Sequence, residues 1–198
     1  MPKNQSDELG REEILEAEYG YIAQTAFQAN EDRARVSSFY LLAVGSLVAA
    51  LFSTQLFDRN FDPVFISSAF SGLFFVLTVL GTLTTLQLSR LRAAWYDSML
   101  AMNQIKDYWL HQSKDKAFRN AFRWNTESLP RKYKPNSVSY YQTVEVAFLS
   151  GITFGAAVYF FQRAVGYDCP VCNWAYTIVF GLLAFLLQLF IYKINLDK

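Results

Sequence analysis

The sequence predicts an all-α integral membrane protein: four transmembrane helices as two hairpins, with cytoplasmic helical extensions of the first hairpin. Three observations predict it. Residues 37–57, 64–89, 146–162 and 173–192 carry no charged side chain, and about 20 residues at 1.5 Å each cross a hydrocarbon core of about 30 Å. These stretches are apolar around their whole circumference, where the helices of a soluble core are apolar along one stripe. Finally, sixteen of the 18 Lys and Arg lie in the N-terminal arm, in residues 90–134 or in the C-terminal tail, and only Arg59 and Arg163 lie in the two short turns. Basic residues collect on the cytoplasmic side, so both termini and the central segment are expected there.

Taken in order, residues 1–36 form a cytoplasmic amphipathic helix. Leu15, Tyr19, Ile22 and Ala26 recur at helical spacing, and no proline lies between Lys3 and Pro63 to stop the helix from running into the first span. The same 36 residues hold eight acidic side chains and no apolar core, so no signal peptide is expected. Residues 37–89 are the first transmembrane hairpin, closed by a turn so short that its two spans must be antiparallel neighbours.

Residues 90–142 are a cytoplasmic helical linker. Leu91, Trp95, Ser98, Met102, Ile105 and Trp109 continue in steps of three and four beyond the second span, a heptad pattern that persists among Arg90, Arg92, Asp97, Lys106 and Asp107. A stripe among charges does not face lipid and needs a protein partner, either the N-terminal helix of the same chain or another subunit. Arg92 is assigned to the polar face. A second short helix is read at 114–124, with Phe118 and Phe122 opposite Lys116, Arg119 and Arg123, lying in the headgroup plane or packed on the stripe. Pro130 and Pro135 then break regular structure. Residues 143–192 form the second transmembrane hairpin and 193–198 a cytoplasmic tail.

Candidate chemistry is sparse. Ser67, Ser71, Thr78, Thr82 and Thr85 form a rough stripe on the second span, which is material either for a pore lining or for interhelical packing. Ala147, Gly151 and Gly155 form a small-residue face that includes GxxxG and permits close helix contact with the fourth span or another subunit, while Phe160 is expected to face lipid. Glu145 has no neighbouring cation in sequence; it is either an ordinary headgroup-level acid or an intramembrane proton or cation site. Cys169 and Cys172 form Cys-Pro-Val-Cys in the turn between spans three and four. A local disulfide is the leading reading there. Free thiols or a metal shared between two chains are the alternatives, since zinc needs about four ligands and the single histidine, His111, falls on the other side of the membrane.

No HExxH, GxSxG, Walker A or GxGxxG motif is present, so the chain is not expected to be an enzyme or to carry a cofactor. A net charge of +1 lacks the basic surface of a nucleic-acid binder. The expectation is a small inner (plasma) membrane protein that homo-oligomerises in the bilayer as a pore, channel or membrane-perturbing effector controlled by its cytoplasmic helices. The alternative is a non-conducting scaffold or accessory subunit that recruits a cytoplasmic protein. A transporter using Glu145 ranks last, because the sequence lacks the internal repeat of such folds.

Overall fold

The computed structural model describes residues 5–53, 62–112, 125–167 and 169–197. Among the described residues there are four helices and no strand: α1 (Gln5–Ser53), α2 (Pro63–Gln112), α3 (Val138–Ala164) and α4 (Pro170–Asp197). Each contains a segment long and apolar enough to cross a membrane.

Local chemistry sets the boundaries. Asp62 accepts the backbone N–H of Val64 on its side chain (3.0 Å) and that of Ile66 on its carbonyl (3.1 Å), so it caps α2 ahead of Pro63, which needs no N–H partner. No further proline follows before Pro130, and α2 runs 50 residues. α1 likewise runs 49 residues. Ser137 caps α3 by accepting from the Tyr140 N–H, just after Asn136 turns the chain with φ 62°. At the other end Gly166 takes φ +76°, its N–H bonds Arg163 O and that of Tyr167 bonds Gln162 O. This is a Schellman ending, for which glycine is the usual residue.

The chain groups into two compact units, Met1–Asp32 with Leu91–Lys134, and Arg33–Arg90 with Pro135–Lys198. Two boundaries differ from the sequence reading: α3 begins at Val138 rather than 143, and residues 193–197 continue α4 rather than forming a tail. Residues 125–137 are irregular, as expected around Pro130 and Pro135. The helix read at 114–124, with Phe118, Phe122, Lys116, Arg119 and Arg123, and the turn residue Arg59 lie outside the described residues.

In the apolar unit, Tyr40 and Val44 of α1 share one buried cluster with Phe70, Phe74, Leu77 and Leu88 of α2 and Val146 and Ala157 of α3. Phe160, expected to face lipid, instead stacks on Phe74 (5.8 Å between centroids) and tilts against Phe70 (5.1 Å); ring-on-ring packing of this kind leaves no periodic trace in sequence. α3 meets α4 at near backbone contact. A Cβ added at Gly151 would stand 2.8 Å from Gly181 O, and one at Gly155 2.9 Å from Thr177 O.

In the other unit, Met102, Ala26 and Ala29 are buried, while Leu91, Trp95, Ile105 and Trp109 are half-buried. The flank of the stripe is covered by residues 125–134 of the same chain. Asn103 donates to Asn125 O (3.1 Å), Thr126 donates to the Asp107 carboxylate, and Arg92 Nε donates to Lys132 O (3.2 Å). Arg92 is therefore buried, its guanidinium 4.4 Å from the Trp95 ring centroid. Its assignment to the polar face is corrected: periodicity saw the stripe and missed the returning segment.

Candidate functional site

The hydroxyl stripe of α2 ends on one side chain, Gln188 of α4. Its Nε2 donates to Thr82 Oγ1 (3.2 Å) and to Ser150 Oγ (2.6 Å), while its Oε1 accepts from Thr85 Oγ1 (3.2 Å). One amide thus ties α2, α3 and α4 together. Further along the same seam Thr78 Oγ1 and Thr153 Oγ1 are 3.0 Å apart, Ser150 Oγ donates to Thr78 O, and Ser71 Oγ donates to Ala157 O (3.0 Å). Ser139 Oγ and Tyr192 Oη, 3.1 Å apart, add another link between α3 and α4.

α1 contributes Tyr40, 1% exposed. Its hydroxyl faces Ser150 and Thr153 without a hydrogen bond of normal geometry to either. Gly81 makes this convergence possible, because a Cβ there would lie 2.6 Å from both Tyr40 Oη and Ser150 Oγ. Thr85, Thr143, Ser150 and Gln188 are essentially inaccessible. Several of these hydroxyls also bond back to their own helix, Thr78 to Phe74 O and Thr82 to Thr78 O. Such back-bonding hides a donor from hydrocarbon at no tertiary cost.

The predicted stripe residues Ser71, Thr78, Thr82 and Thr85 are brought together within one chain, and Ser67 is buried beside them in the chain. Ala147 is fully buried, and Gly151 and Gly155 meet α4 rather than open space. Glu145 is exposed on α3, apart from the seam. Cys169 and Cys172 are joined as a disulfide. Sequence reasoning did not name Tyr40, Gly81, Ser150, Thr153, Gly181 or Gln188. Gln188 had a signal, an amide set in Phe-Leu-Leu-Gln-Leu-Phe, since strongly polar groups are rare at such depth. Tyr40 had none.

Chemically the seam is neutral. Among the described residues its hydrogen bonds run between hydroxyls, backbone carbonyls and one amide. Such groups hold helices together and supply no activated nucleophile. Among the described residues no three His, Cys, Asp or Glu group to hold a metal ion. Compared with known proteins, the sequence matches no family model, no curated protein and no solved structure.

Proposed function

We propose that the chain is a non-catalytic, multi-pass membrane scaffold or accessory subunit of the inner (plasma) membrane, working through the helical unit built from residues 1–32 and 91–134. One observation carries this reading. Hydroxyls that a pore would need are used inside the chain, whereas large apolar side chains dominate the outward positions of the spans: Phe39 and Leu42 on α1, Val76 and Val79 on α2, Phe148 and Ile152 on α3, Leu183 and Leu187 on α4, with Ser38, Ser46, Ser68 and Gln87 as exposed polar exceptions. A protomer with that exterior offers lipid contact and helix association, not a water-lined wall. Half-buried Trp95 and Trp109 give the other unit an amphipathic, aromatic surface suited to a protein partner. In this reading both termini face the cytoplasm, as the distribution of Lys and Arg supports, and the spans form two hairpins.

A second reading is supported by the extent of the seam. A row from Ser71 to Gln188 is enough polar material to line a hydrophilic path if the spans separate, which suits a homo-oligomeric pore or membrane-perturbing effector that is closed in the arrangement described. Mass measurement in mild detergent, paired with planar-bilayer conductance, separates the two. The scaffold reading expects current at the level of lipid alone for the parent chain, for a Gln188→Leu variant and for protein carrying a retained partner. Discrete conductance from a monodisperse oligomer, altered by Gln188→Leu, rejects it in favour of the effector. Reporter fusions at Lys134 and Lys198 are expected to read cytoplasm and one at Arg59 the opposite side.

A further inference from the structure

The Cys-Pro-Val-Cys pair sits where a helix begins. The Cys169 carbonyl accepts the Asn173 N–H (2.9 Å), the first intrahelical bond of α4, and Pro170 is its first helical residue. Cys169 is therefore the N-cap, and Cys172 follows in the first turn. A sulfur at an N-cap lies beside backbone N–H groups that have no intrahelical acceptor and at the positive end of the helix dipole, which favours its thiolate. No acidic side chain occupies the first turn of α4, and Asp168, directly before Cys169, is the acidic residue nearest in sequence. Stabilising the thiolate stabilises the reduced pair, and a disulfide whose reduced form is favoured exchanges readily.

A purely structural role is poorly served by this bond. It closes a short loop, between residues three apart, where cross-linking restrains the unfolded chain little. The same corner is already held by the Schellman ending at Gly166 and by Asn173 Nδ2 donating to Tyr167 O (3.1 Å). Access is open. Both cysteines are partly exposed, and Val171 between them and Trp174 beyond are 81% and 61% exposed. Two features independent of the cysteines suit a ligand. A cavity of about 460 Å³, lined by Val158, Phe161, Gln162, Val165, Tyr167 and Tyr176, includes residues two before Cys169 and four after Cys172. In addition, Asn173, 8% exposed and next to Cys172 in the first turn of α4, keeps its Oδ1 buried without a hydrogen-bond partner.

We propose that Cys169 and Cys172 are a redox-active pair that exchanges with cysteine thiols of a polypeptide, whose apolar flanking side chain is seated in the Tyr167–Tyr176 cavity. The substrate thiolate attacks Cys169 Sγ, the Cys169–Cys172 bond breaks, and Cys172 leaves as a thiolate that takes up a proton. A second substrate thiolate attacks the substrate sulfur of the mixed disulfide and releases Cys169 as a thiolate. Two thiols have lost two electrons to one disulfide, and the step reverses with a disulfide substrate. The proposal is independent of whether the membrane unit conducts.

The full chain in mild detergent is the test material. Equilibrated with mixtures of reduced and oxidised glutathione and then alkylated and weighed, the parent is expected to become reduced in mixtures that leave stable structural disulfides intact, with its helix content unchanged. A pair that resists them, or helices that melt on reduction, overturns the proposal. Cys172→Ser leaves Cys169 alone and Cys169→Ser leaves Cys172. With a Leu-flanked cysteine peptide activated by 5-thio-2-nitrobenzoate, Cys172→Ser is expected to release the chromophore roughly threefold faster, because a larger thiolate fraction outweighs its lower intrinsic nucleophilicity. Equal or reversed rates, or failure of both variants to fold, reject it. Tyr176→Ala in the Cys172→Ser background is expected to slow that peptide several-fold and to leave activated glutathione unaffected; equal slowing of both rejects the cavity as the seat of the substrate.

Discussion

In the unit formed by Arg33–Arg90 and Pro135–Lys198 the closest contacts are made by the smallest side chains. Gly151, Gly155 and Gly181 bring α3 and α4 to backbone contact, and Gly81 lets Tyr40 and Ser150 converge. In the unit formed by Met1–Asp32 and Leu91–Lys134 the contacts are made by large side chains: Trp95 under Arg92, Tyr96 under Lys132, and Met102 buried in the stripe. On the proposed placement, with one unit in the bilayer and the other in water, the difference follows from the solvent each kind of surface would meet. Lipid tails are as apolar as leucine, so burying leucine between spans gains little, and close approach with hydrogen bonding supplies the specificity. Water rewards removal of apolar area, so bulk and cation–aromatic contact supply it in the other unit.

The largest expected effect breaks the close contact. Gly151→Leu has no room between α3 and the Gly181 carbonyl and is expected to abolish a monodisperse, folded protein in detergent. Gly151→Ala is expected to cost about 1 to 3 kcal/mol, because the neighbour at 2.8 Å is backbone and yields only by moving the helix. Gly72→Ala is the matched control, since nothing lies within 4 Å of its added Cβ, and it should match the parent or exceed it slightly through helix propensity. Thermal unfolding followed by circular dichroism reads all three, and equal stability for Gly151→Ala and Gly72→Ala would remove the contact from the argument.

Next in size is the seam. Gln188→Leu fills the same space and deletes three hydrogen bonds. Bonds between spans average about 0.6 kcal/mol, so a loss of about 1 to 2 kcal/mol is expected, against less than about 0.5 for Leu187→Ala on the exposed face of α4. A neutral Gln188→Leu would mean that the hydroxyls re-pair with their own helices at no cost.

How far these features were legible depended on whether their partners were periodic. The four apolar helices, the Gly151 and Gly155 face, and the stripe through Met102 follow from spacing within one element. Tyr40, Thr153 and Ser150 meet only because separate spans are brought side by side, and no spacing within one of them records that. Arg92 is the instructive failure. Heptad reasoning put it among the solvated charges, whereas the segment around Lys132 returns to cover it, and a loop has no period to read. In the unit of Met1–Asp32 and Leu91–Lys134 this narrows the expected gap between Arg92 and Trp95. Arg92→Ala loses a contact over Trp95 and a bond to Lys132 O, about 1 to 2 kcal/mol in stability by denaturant unfolding. Trp95→Ala, half-buried, should cost about 2 kcal/mol, below the 3 to 5 of a fully buried tryptophan. An Arg92→Ala variant as stable as the parent would return that residue to the solvated face.

The smallest expected effect sharpens the comparison, because it separates what covers Arg92 from what merely accompanies it. Lys132 Nζ lies 3.1 Å from Asp97 Oδ1, but the two side chains are 32% and 62% exposed. An ion pair with that much water gains little beyond its side-chain entropy cost, and salt screens the remainder. Lys132→Met keeps the backbone carbonyl that Arg92 uses and keeps an aliphatic stem over Tyr96, and Asp97→Asn keeps the shape of its partner. Each is therefore expected to shift stability by less than about 0.5 kcal/mol, and the shift should vanish at high ionic strength. If either substitution costs as much as Arg92→Ala at any salt concentration, the ion pair rather than the carbonyl holds residues 125–134 against α2. The aromatic and cation–aromatic account of that unit would then have to give way to a charge-based one.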